Sequence, residues 1–232
     1  RAPSQRVAKP TTYEASGPNQ VWSADITYLP TRVVGRFFSL CLIIDIDSRK
    51  IVAWEIEARE SAQLVERVVR QAMLKEGCVG RPLILHTDNG SPMKEYTLRS
   101  KLYALNITPS YSRPQVSNDN PFVESLFGTC KAMPAYPRQG FTDLAAARQW
   151  IKQFVDWYNH EHRHSAIRYV TPVQRHAGED AALLAKRDEV YATAKARHPR
   201  RWSGKTRDWT PVGSVYLNPE DPALHVGYRT AA

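Results

Sequence analysis

The sequence predicts an α/β fold: a mixed sheet with flanking helices, continued by a helical and basic C-terminal extension. Three observations predict it. Strand-like segments come early and close together, led by the alternating, β-branched run Val21–Leu29. Helically spaced segments then alternate with short apolar runs such as Pro82–His86. Toward the end, Lys195, Arg197, Arg200, Arg201, Lys205 and Arg207 follow one another without an intervening acid.

Each element has its own local reason. Residues 1–18 are polar, contain Pro3, Pro10 and Pro18, and read as an extended arm. Val21–Leu29 is a first strand and Arg36–Ile46 a second, more fully buried one. Asp47-Ser48-Arg49-Lys50 is a tight turn, and Ile51–Ile56 returns to complete an antiparallel hairpin. Ser61–Lys75 places Leu64, Val65, Val68, Val69, Ala72 and Met73 at helical spacing, with Ser61 as its cap. Pro82–His86 is a short strand that ends in Thr87-Asp88-Asn89-Gly90-Ser91. A helix follows over Lys94–Leu105, then a strand at Ile107–Ser110. Residues 112–120 form a polar loop without periodicity. Pro121 opens the next helix at a position where proline is tolerated. Thr142–Glu161 is a long amphipathic helix, and the chain is helical again from Pro172 to about Ala196. This order resembles that of the ribonuclease H-like fold. It divides the chain into an arm at 1–18, a core at 19–175 and a C-terminal helix with a basic tail at 176–232.

Composition narrows the function. The 232 residues are 42% apolar, as in a folded globular protein. No run approaches the roughly 18 apolar residues that a membrane helix needs. Lys and Arg total 32 against 23 Asp and Glu, a formal charge of +9, which favours a polyanionic partner because cations on phosphates release counterions. Cys41, Cys78 and Cys130 are odd in number and widely spaced, so free thiols in a reducing cytosol are expected. The sequence starts at Arg1 with no signal-peptide pattern, and reads as a fragment or cut product with something missing upstream.

Three carboxylates occupy informative places. Asp25 lies mid-strand, Asp88 just past a strand end, and Glu124 in the first turn of a helix. Hard divalent cations take oxygen ligands, and a strand interior, an adjacent strand end and a nearby helix can present three acids to one point. Each acid also has an ordinary explanation. Asp25 beside Ser and Thr can face solvent, Asp-Asn-Gly is a common turn, and the helix dipole favours Glu in a first turn. On the helix, Glu124, Gly128 and Lys131 fall at i, i+4 and i+7, giving one stripe of acid, glycine and cation. Gly128 costs about 1 kcal/mol relative to Ala. Close approach of a polyanionic partner, or of another protein element, would account for it.

The motifs WSADITYL, HTDNGS, SRPQVSNDNPFVESLFGTCK and WYNHEHRHSAIRYVTP, in that order, resemble DDE-type insertion-sequence transposases with a retroviral-integrase-like core. RWSGKTRDW and VYLNP resemble that family's tail, and the spacing from Asp88 to Glu124 fits its D-35-E pattern. The resemblance implies that Asp25, Asp88 and Glu124 are catalytic and bind two Mg²⁺ ions, with Mn²⁺ able to substitute. It implies two reactions: hydrolysis at the element's ends, then attack of the freed 3′-hydroxyl on another DNA. Its expected partners are element ends, target DNA and further copies of the chain. An upstream helix-turn-helix region would be missing, and the expected location is the bacterial cytosol, on the nucleoid. Family members often carry a basic residue where Lys131 stands, which implies a DNA contact. The alternatives are a ribonuclease H-like nuclease that only hydrolyses, and a domesticated DNA-binding protein without activity.

Further DNA contacts are expected at Arg113, in the loop, and at Arg163 and His164, with the basic tail contributing Lys195, Arg197, Arg200, Arg201, Lys205 and Arg207. There Trp202 and Trp209 could stack on bases or sugars. Asn120 is expected to cap the Pro121 helix. His86 reads as a core histidine, Asp45 and Asp47 as structural acids. His160, His162 and His164 lack a zinc spacing.

Overall fold

The computed structural model describes residues 11–90, 93, 95–113 and 119–219. The first ten residues of the expected arm, Ser91 of the expected turn, Lys94 at the expected start of a helix, loop residues 114–118 and the final residues from 220 lie outside that range. Strands β2 (Val21–Pro30), β3 (Phe37–Asp45), β4 (Ile51–Glu57), β5 (Leu83–Thr87) and β6 (Ile107–Tyr111) form one sheet in the order β4-β3-β2-β5-β6. The β4-β3-β2 pairs are antiparallel, and β2-β5-β6 run parallel. Parallel neighbours need crossovers, and helices α1 (Ala62–Lys75) and α2 (Tyr96–Ala104) supply them. This mixed sheet with flanking helices is the class that the sequence predicts.

Alternation along β2 divides the interior in two. Val21 and Leu29 pack with α3 (Pro121–Ala132) and α4 (Leu144–His160), through Phe122, Leu126, Ile151 and Phe154. Trp22 and Ala24 point the other way, to Val65, Val68 and Met73 of α1. The capping of α1 follows the expectation, since the Ser61 side chain accepts from the Leu64 N–H at 3.1 Å. For α4 the cap is Asp143, which accepts from Ala146 N–H at 2.8 Å, so the helix starts two residues later than Thr142.

Two features differ from the sequence reading. The helix expected from Pro172 to Ala196 is two helices, α5 (Pro172–His176) and α6 (Asp180–Arg197). Gly178, at φ +74°, takes a left-handed conformation between them that L side chains avoid. The arm is not simply extended either. Strand β1 (Tyr13–Ala15) pairs antiparallel with β7 (Val215–Leu217), bringing the tail back to the start of the described chain. Three-residue strands carry too little periodicity to be seen in the sequence.

Helix α6 joins a separate small cluster of Ile167, Val170, Leu184 and Trp209. A buried ion pair ties this region to the sheet: Arg175 of α5 donates to Asp47 Oδ1 at 2.7 Å and to the Asp47 carbonyl at 2.8 Å. Both side chains are only 6% exposed. Asp45 is buried too, and accepts from Asn19 N–H at 2.7 Å and from Ser48 N–H and Oγ at 2.8 and 2.7 Å. Both acids are structural. All three cysteines are free thiols and buried. No helix among the described residues is long and apolar enough to cross a membrane.

Candidate active site

The site is built on one face of the central strand. Ser23, Asp25 and Thr27 alternate with Trp22, Ala24 and Ile26, so they share the face that α3 covers. Two polar tethers hold α3 there. Ser23 Oγ donates to Asn120 Oδ1 at 2.5 Å, and Asn120 Nδ2 donates to the Ala24 carbonyl at 3.1 Å. Near the other end of the helix, Lys131 Nζ donates to Thr27 Oγ1 at 2.7 Å. Glu124 lies between the tethers, on the stripe that continues to Gly128 and Lys131. Asn120 sits at the N-cap position, but its side chain makes no cap hydrogen bond. The capping expectation is therefore corrected: the amide is spent across the interface, on β2.

Sheet register places the second acid. Ala24 pairs with Thr87 in the parallel β2-β5 ladder. The next position on each strand is Asp25 and Asp88, and neighbouring strands are about 4.8 Å apart. Asp88 Oδ1 accepts from Gly90 N–H at 3.1 Å. A Cβ on Gly90 would lie 3.1 Å from Asp88 Oδ1 and 3.2 Å from Oδ2, so glycine leaves the carboxylate its room.

The electrostatics report the same closeness. Burial pushes the Asp25 carboxyl up to about 7; the Asp88 and Glu124 charges push the same way, and the Ile26 N–H and Lys131 oppose them. Glu124 is raised as well, by burial and then by Asp119. Asp25 Oδ1 accepts from Ile26 N–H at 2.7 Å. Among the described residues, no three carboxylate, imidazole or thiol groups stand at metal-coordinating distance. The donor set itself consists of three carboxylates, without sulfur or imidazole, and so fits a hard divalent cation.

Surrounding residues take clear positions. Among the described residues, nothing lies within 4 Å of where a Gly128 Cβ would stand, so no described element packs on that face of the helix. Arg113 is clasped to Asp119: backbone N–H and Nε donate to Oδ2 at 2.8 and 2.9 Å, and Nη2 donates to Oδ1 at 2.9 Å. That pairing closes the loop between β6 and α3, and the guanidinium is turned toward the protein. His86 is a buried core histidine, between Ser110 Oγ at 2.9 Å and Ser112 Oγ at 3.2 Å, and burial pushes its pKa down to about 4.

The remaining candidates do not join the acids. His164 accepts from Ala166 N–H at 3.2 Å and is pushed down to about 3, burial being the largest cause, so a neutral ring organises this turn and brings no cation to a phosphate. Arg163 donates to Gln174 Oε1 at 3.0 Å. Lys195 donates to the Gly204 carbonyl at 2.8 Å, and Arg207 lies over the Tyr169 ring at 4.9 Å. Arg197, Arg200, Arg201 and Lys205 are exposed and make no ion pair among the described residues. Trp209 is buried in the small cluster, which corrects the expectation that it stacks on bases, while Trp202 is partly exposed and stands edge-on to Tyr191. His162 stacks on Tyr158 at 5.2 Å.

Sequence reasoning passed over Ser23, Thr27 and Gly90. Their signal was present. Ser23, Asp25 and Thr27 are polar at every second position of an otherwise apolar strand.

Two integrase core domain family models match the chain, at residues 15–117 and 105–172. The transposase of insertion sequence element IS904 from Lactococcus lactis is 34% identical over 161 residues, covering 69% of this chain and 62% of that protein. Transposase InsF of insertion sequence IS3A from Escherichia coli is 31% identical over 163 residues, covering 70% of this chain and 55% of that protein. The chain thus spans about three fifths of the length of these relatives. Among solved structures, it is similar to a chain of the simian T-cell lymphotropic virus intasome in complex with PP2A regulatory subunit B56 gamma. The TM-score is 0.57 at 19% identity, over 75% of this chain and 60% of that one. The HTLV-2 integrase catalytic core domain in complex with magnesium gives a TM-score of 0.50 at 19% identity, over 69% of this chain and 97% of that one. At these identities the likeness shows the fold.

Proposed function

The chain belongs to the integrase-core family of insertion-sequence transposases, and from that membership we propose that it is a DDE polynucleotidyl transferase acting on DNA. What supports the reading is that Asp25 lies on the face of β2 under the helix that carries Glu124, that Asp88 follows the last β2-β5 ladder pair, and that the charges of Asp88 and Glu124 both raise the Asp25 pKa. These three side chains would hold two Mg²⁺ ions, with Mn²⁺ as a substitute. When bound, such ions neutralise phosphate oxygens and activate a hydroxyl nucleophile.

The chain's own residues do the rest. Lys131, at the far end of the stripe, holds a phosphodiester by charge. Gly128 lets the DNA backbone approach the helix where a side chain would keep it off. Asn120, through Ser23 and Ala24, fixes the height of Glu124 above β2. Hydrolysis at the element's end breaks a P–O bond and frees a 3′-hydroxyl; that oxygen then attacks a phosphodiester of a second DNA, forming a new P–O bond as the target strand's 3′-oxygen leaves and takes up a proton. Residues 19–175 are the catalytic core in this reading. The exposed cations Arg197, Arg200, Arg201 and Lys205 of 176–232 contact DNA backbone, in an assembly of several copies in the bacterial cytosol.

A strand-transfer assay tests this, with Mn²⁺ and a duplex from the element's own end carrying a recessed 3′-hydroxyl. Joined product is expected, and none from Glu124→Gln, which still binds DNA. Hydrolysis without joining would identify a nuclease. Binding without cleavage by the unmutated chain would identify an inactive DNA-binding protein.

A further inference from the structure

The β2-β3 hairpin runs out beyond the site, and its tip is an exception to the usual surface. Val34 is 99% exposed, and Val33 and Phe37 are 55% and 51% exposed. Arg32 and Arg36 flank these apolar residues on the same turn. Arg59, just past β4, shares with Arg36, Phe37 and Phe38 a hollow of about 540 Å³. None of these three arginines makes an ion pair among the described residues. The acids closest in sequence to Arg59 are already engaged: Glu55 with Arg148, Glu57 with Arg67, and Glu60 with the Tyr28 hydroxyl. Glu55 and Glu57 are thus spent on other arginines, Glu60 is bonded to a neutral hydroxyl, and three arginines against that one carboxylate leave the patch net cationic and apolar.

The tip is also braced. Phe141 N–H donates to the Pro30 carbonyl at 2.9 Å, and Arg32 N–H donates to the Phe141 carbonyl at 3.1 Å. Gly140, at φ +88°, lets the two backbones meet: a Cβ there would stand 2.4 Å from the Thr31 carbonyl carbon and oxygen. A hairpin clamped this closely at its base holds its tip at a set distance from the acids. Thr31 is six residues beyond Asp25 on the same line of chain, so the base of the tip lies about 20 Å from Asp25 at the usual rise per strand residue.

We propose that the Thr31–Phe37 hairpin is a second DNA-backbone contact. Arg32, Arg36 and Arg59 pair with phosphates about six base pairs from the scissile phosphate, taking a rise of about 3.4 Å per base pair, and Val34 rests against the groove between them. Unpaired arginines select phosphates, and an exposed apolar residue among them suits a groove wall of sugars and base edges. The inference rests on DNA being the substrate, and it adds a fixed footprint to that reading.

The test measures binding of the chain to a random-sequence duplex of about 30 base pairs across a salt series, long enough for several phosphate contacts. Replacing all three residues (Arg32→Ala, Arg36→Ala, Arg59→Ala) is expected to reduce the salt slope by about 2.7, or 0.9 for each phosphate left without its arginine. Thermal unfolding of the triple variant, with residues exposed at every site, is expected to match that of the unmutated chain. Val34→Cys carrying a photocrosslinker is expected to mark DNA about six base pairs from the Mn²⁺-dependent cut, the span set by the strand rise. An unchanged slope in the triple variant, with a reduced one in Lys131→Ala, would overturn the hairpin contact and leave the DNA reading intact. No salt-dependent binding by the unmutated chain would overturn both. If Val34→Glu abolishes self-association in sedimentation while DNA binding keeps its slope, the tip is an interface between copies and the proposal fails.

Discussion

In the proposed reading Asp25 is a metal ligand, which makes cation binding a function of pH. Its carboxyl titrates near 7 because burial and the charges of Asp88 and Glu124 disfavour the ionised form. A cation needs that form, so binding must displace a proton below pH 7 and none well above it. For one group titrating at 7, apparent Mn²⁺ affinity should rise about eightfold from pH 5.5 to 6.5, and less than twofold from pH 7.5 to 8.5. The raised pKa also links to stability in the metal-free chain. Folding raises this pKa, so Asp25's contribution is fully present below its unfolded pKa near 4. It is lost as the pH rises through 7. The rise from an ordinary aspartate's 3.8 to about 7 corresponds to on the order of 4 kcal/mol. Asp25→Asn should therefore bind Mn²⁺ weakly at every pH and lose most of the steep limb. In chelator it should be the more stable protein at pH 8 and nearly equal to the unmutated chain at pH 4. Calorimetric titration with Mn²⁺ and urea unfolding in chelator measure the two halves. A flat affinity profile between pH 5.5 and 7, or an Asp25→Asn protein no more stable at pH 8, would refute the reasoning.

The tethers and ion pairs around the site give three more expectations. Lys131→Ala removes a charge that lowers the Asp25 pKa, so the steep limb of the Mn²⁺ profile should move to higher pH; the salt slope of DNA binding should fall by about 0.9. Asn120→Ala leaves the buried Ser23 hydroxyl and Ala24 carbonyl without their partner, and should cost about 2–3 kcal/mol in urea unfolding. Cleavage should fall further than that loss alone explains once the protein is kept folded, because Glu124 loses its fixed height. Arg175→Ala strands the buried Asp47 carboxylate and should cost about 3–5 kcal/mol, read in the same way. If the losses for Asn120→Ala and Arg175→Ala are under about 0.5 kcal/mol, these contacts do not hold the elements together.

Much of the site could be read from the sequence because its positions follow from local rules. An alternating strand fixes which face Asp25 shares with Ser23 and Thr27, and a helix stripe fixes Glu124 relative to Lys131. The parallel register that sets Asp88 beside Asp25 depends instead on which strands become neighbours, and no local pattern encodes that. The same limit hid β1 and β7, since a three-residue pair forms only when distant segments meet. Asn120 shows a different limit. At the N-cap position the sequence favours a local hydrogen bond to the helix. The tertiary partner wins because Ser23 Oγ and the Ala24 carbonyl are buried and would otherwise go unsatisfied. Trp209 reads as exposed among cations, yet the apolar residues it joins, Ile167, Val170 and Leu184, lie well upstream in the chain.

The three acids are not held with equal firmness, and that bears on how the site assembles. Asp25 is fixed within β2, and Asp88 follows the last pair of the β2-β5 ladder by one residue, with its carboxylate accepting from Gly90 N–H. Glu124 is carried by a helix that begins immediately after the Arg113–Asp119 clasp; core packing through Phe122 and Leu126 and the tethers at Asn120 and Lys131 hold that helix, while the Glu124 side chain itself is exposed. A cation drawing the carboxylates together gains most by moving the partner that is cheapest to move. Glu124, exposed on its helix, is that partner. Opening the clasp with Asp119→Asn keeps the side chain's size and removes a charge that raises the Glu124 pKa, so it should strengthen Mn²⁺ binding through Glu124 at low pH and leave the Asp25 profile in place. In the Glu124→Gln background the same change should have no further effect on Mn²⁺ affinity. An equal change in both backgrounds would show that the clasp acts on the sheet acids and not through Glu124.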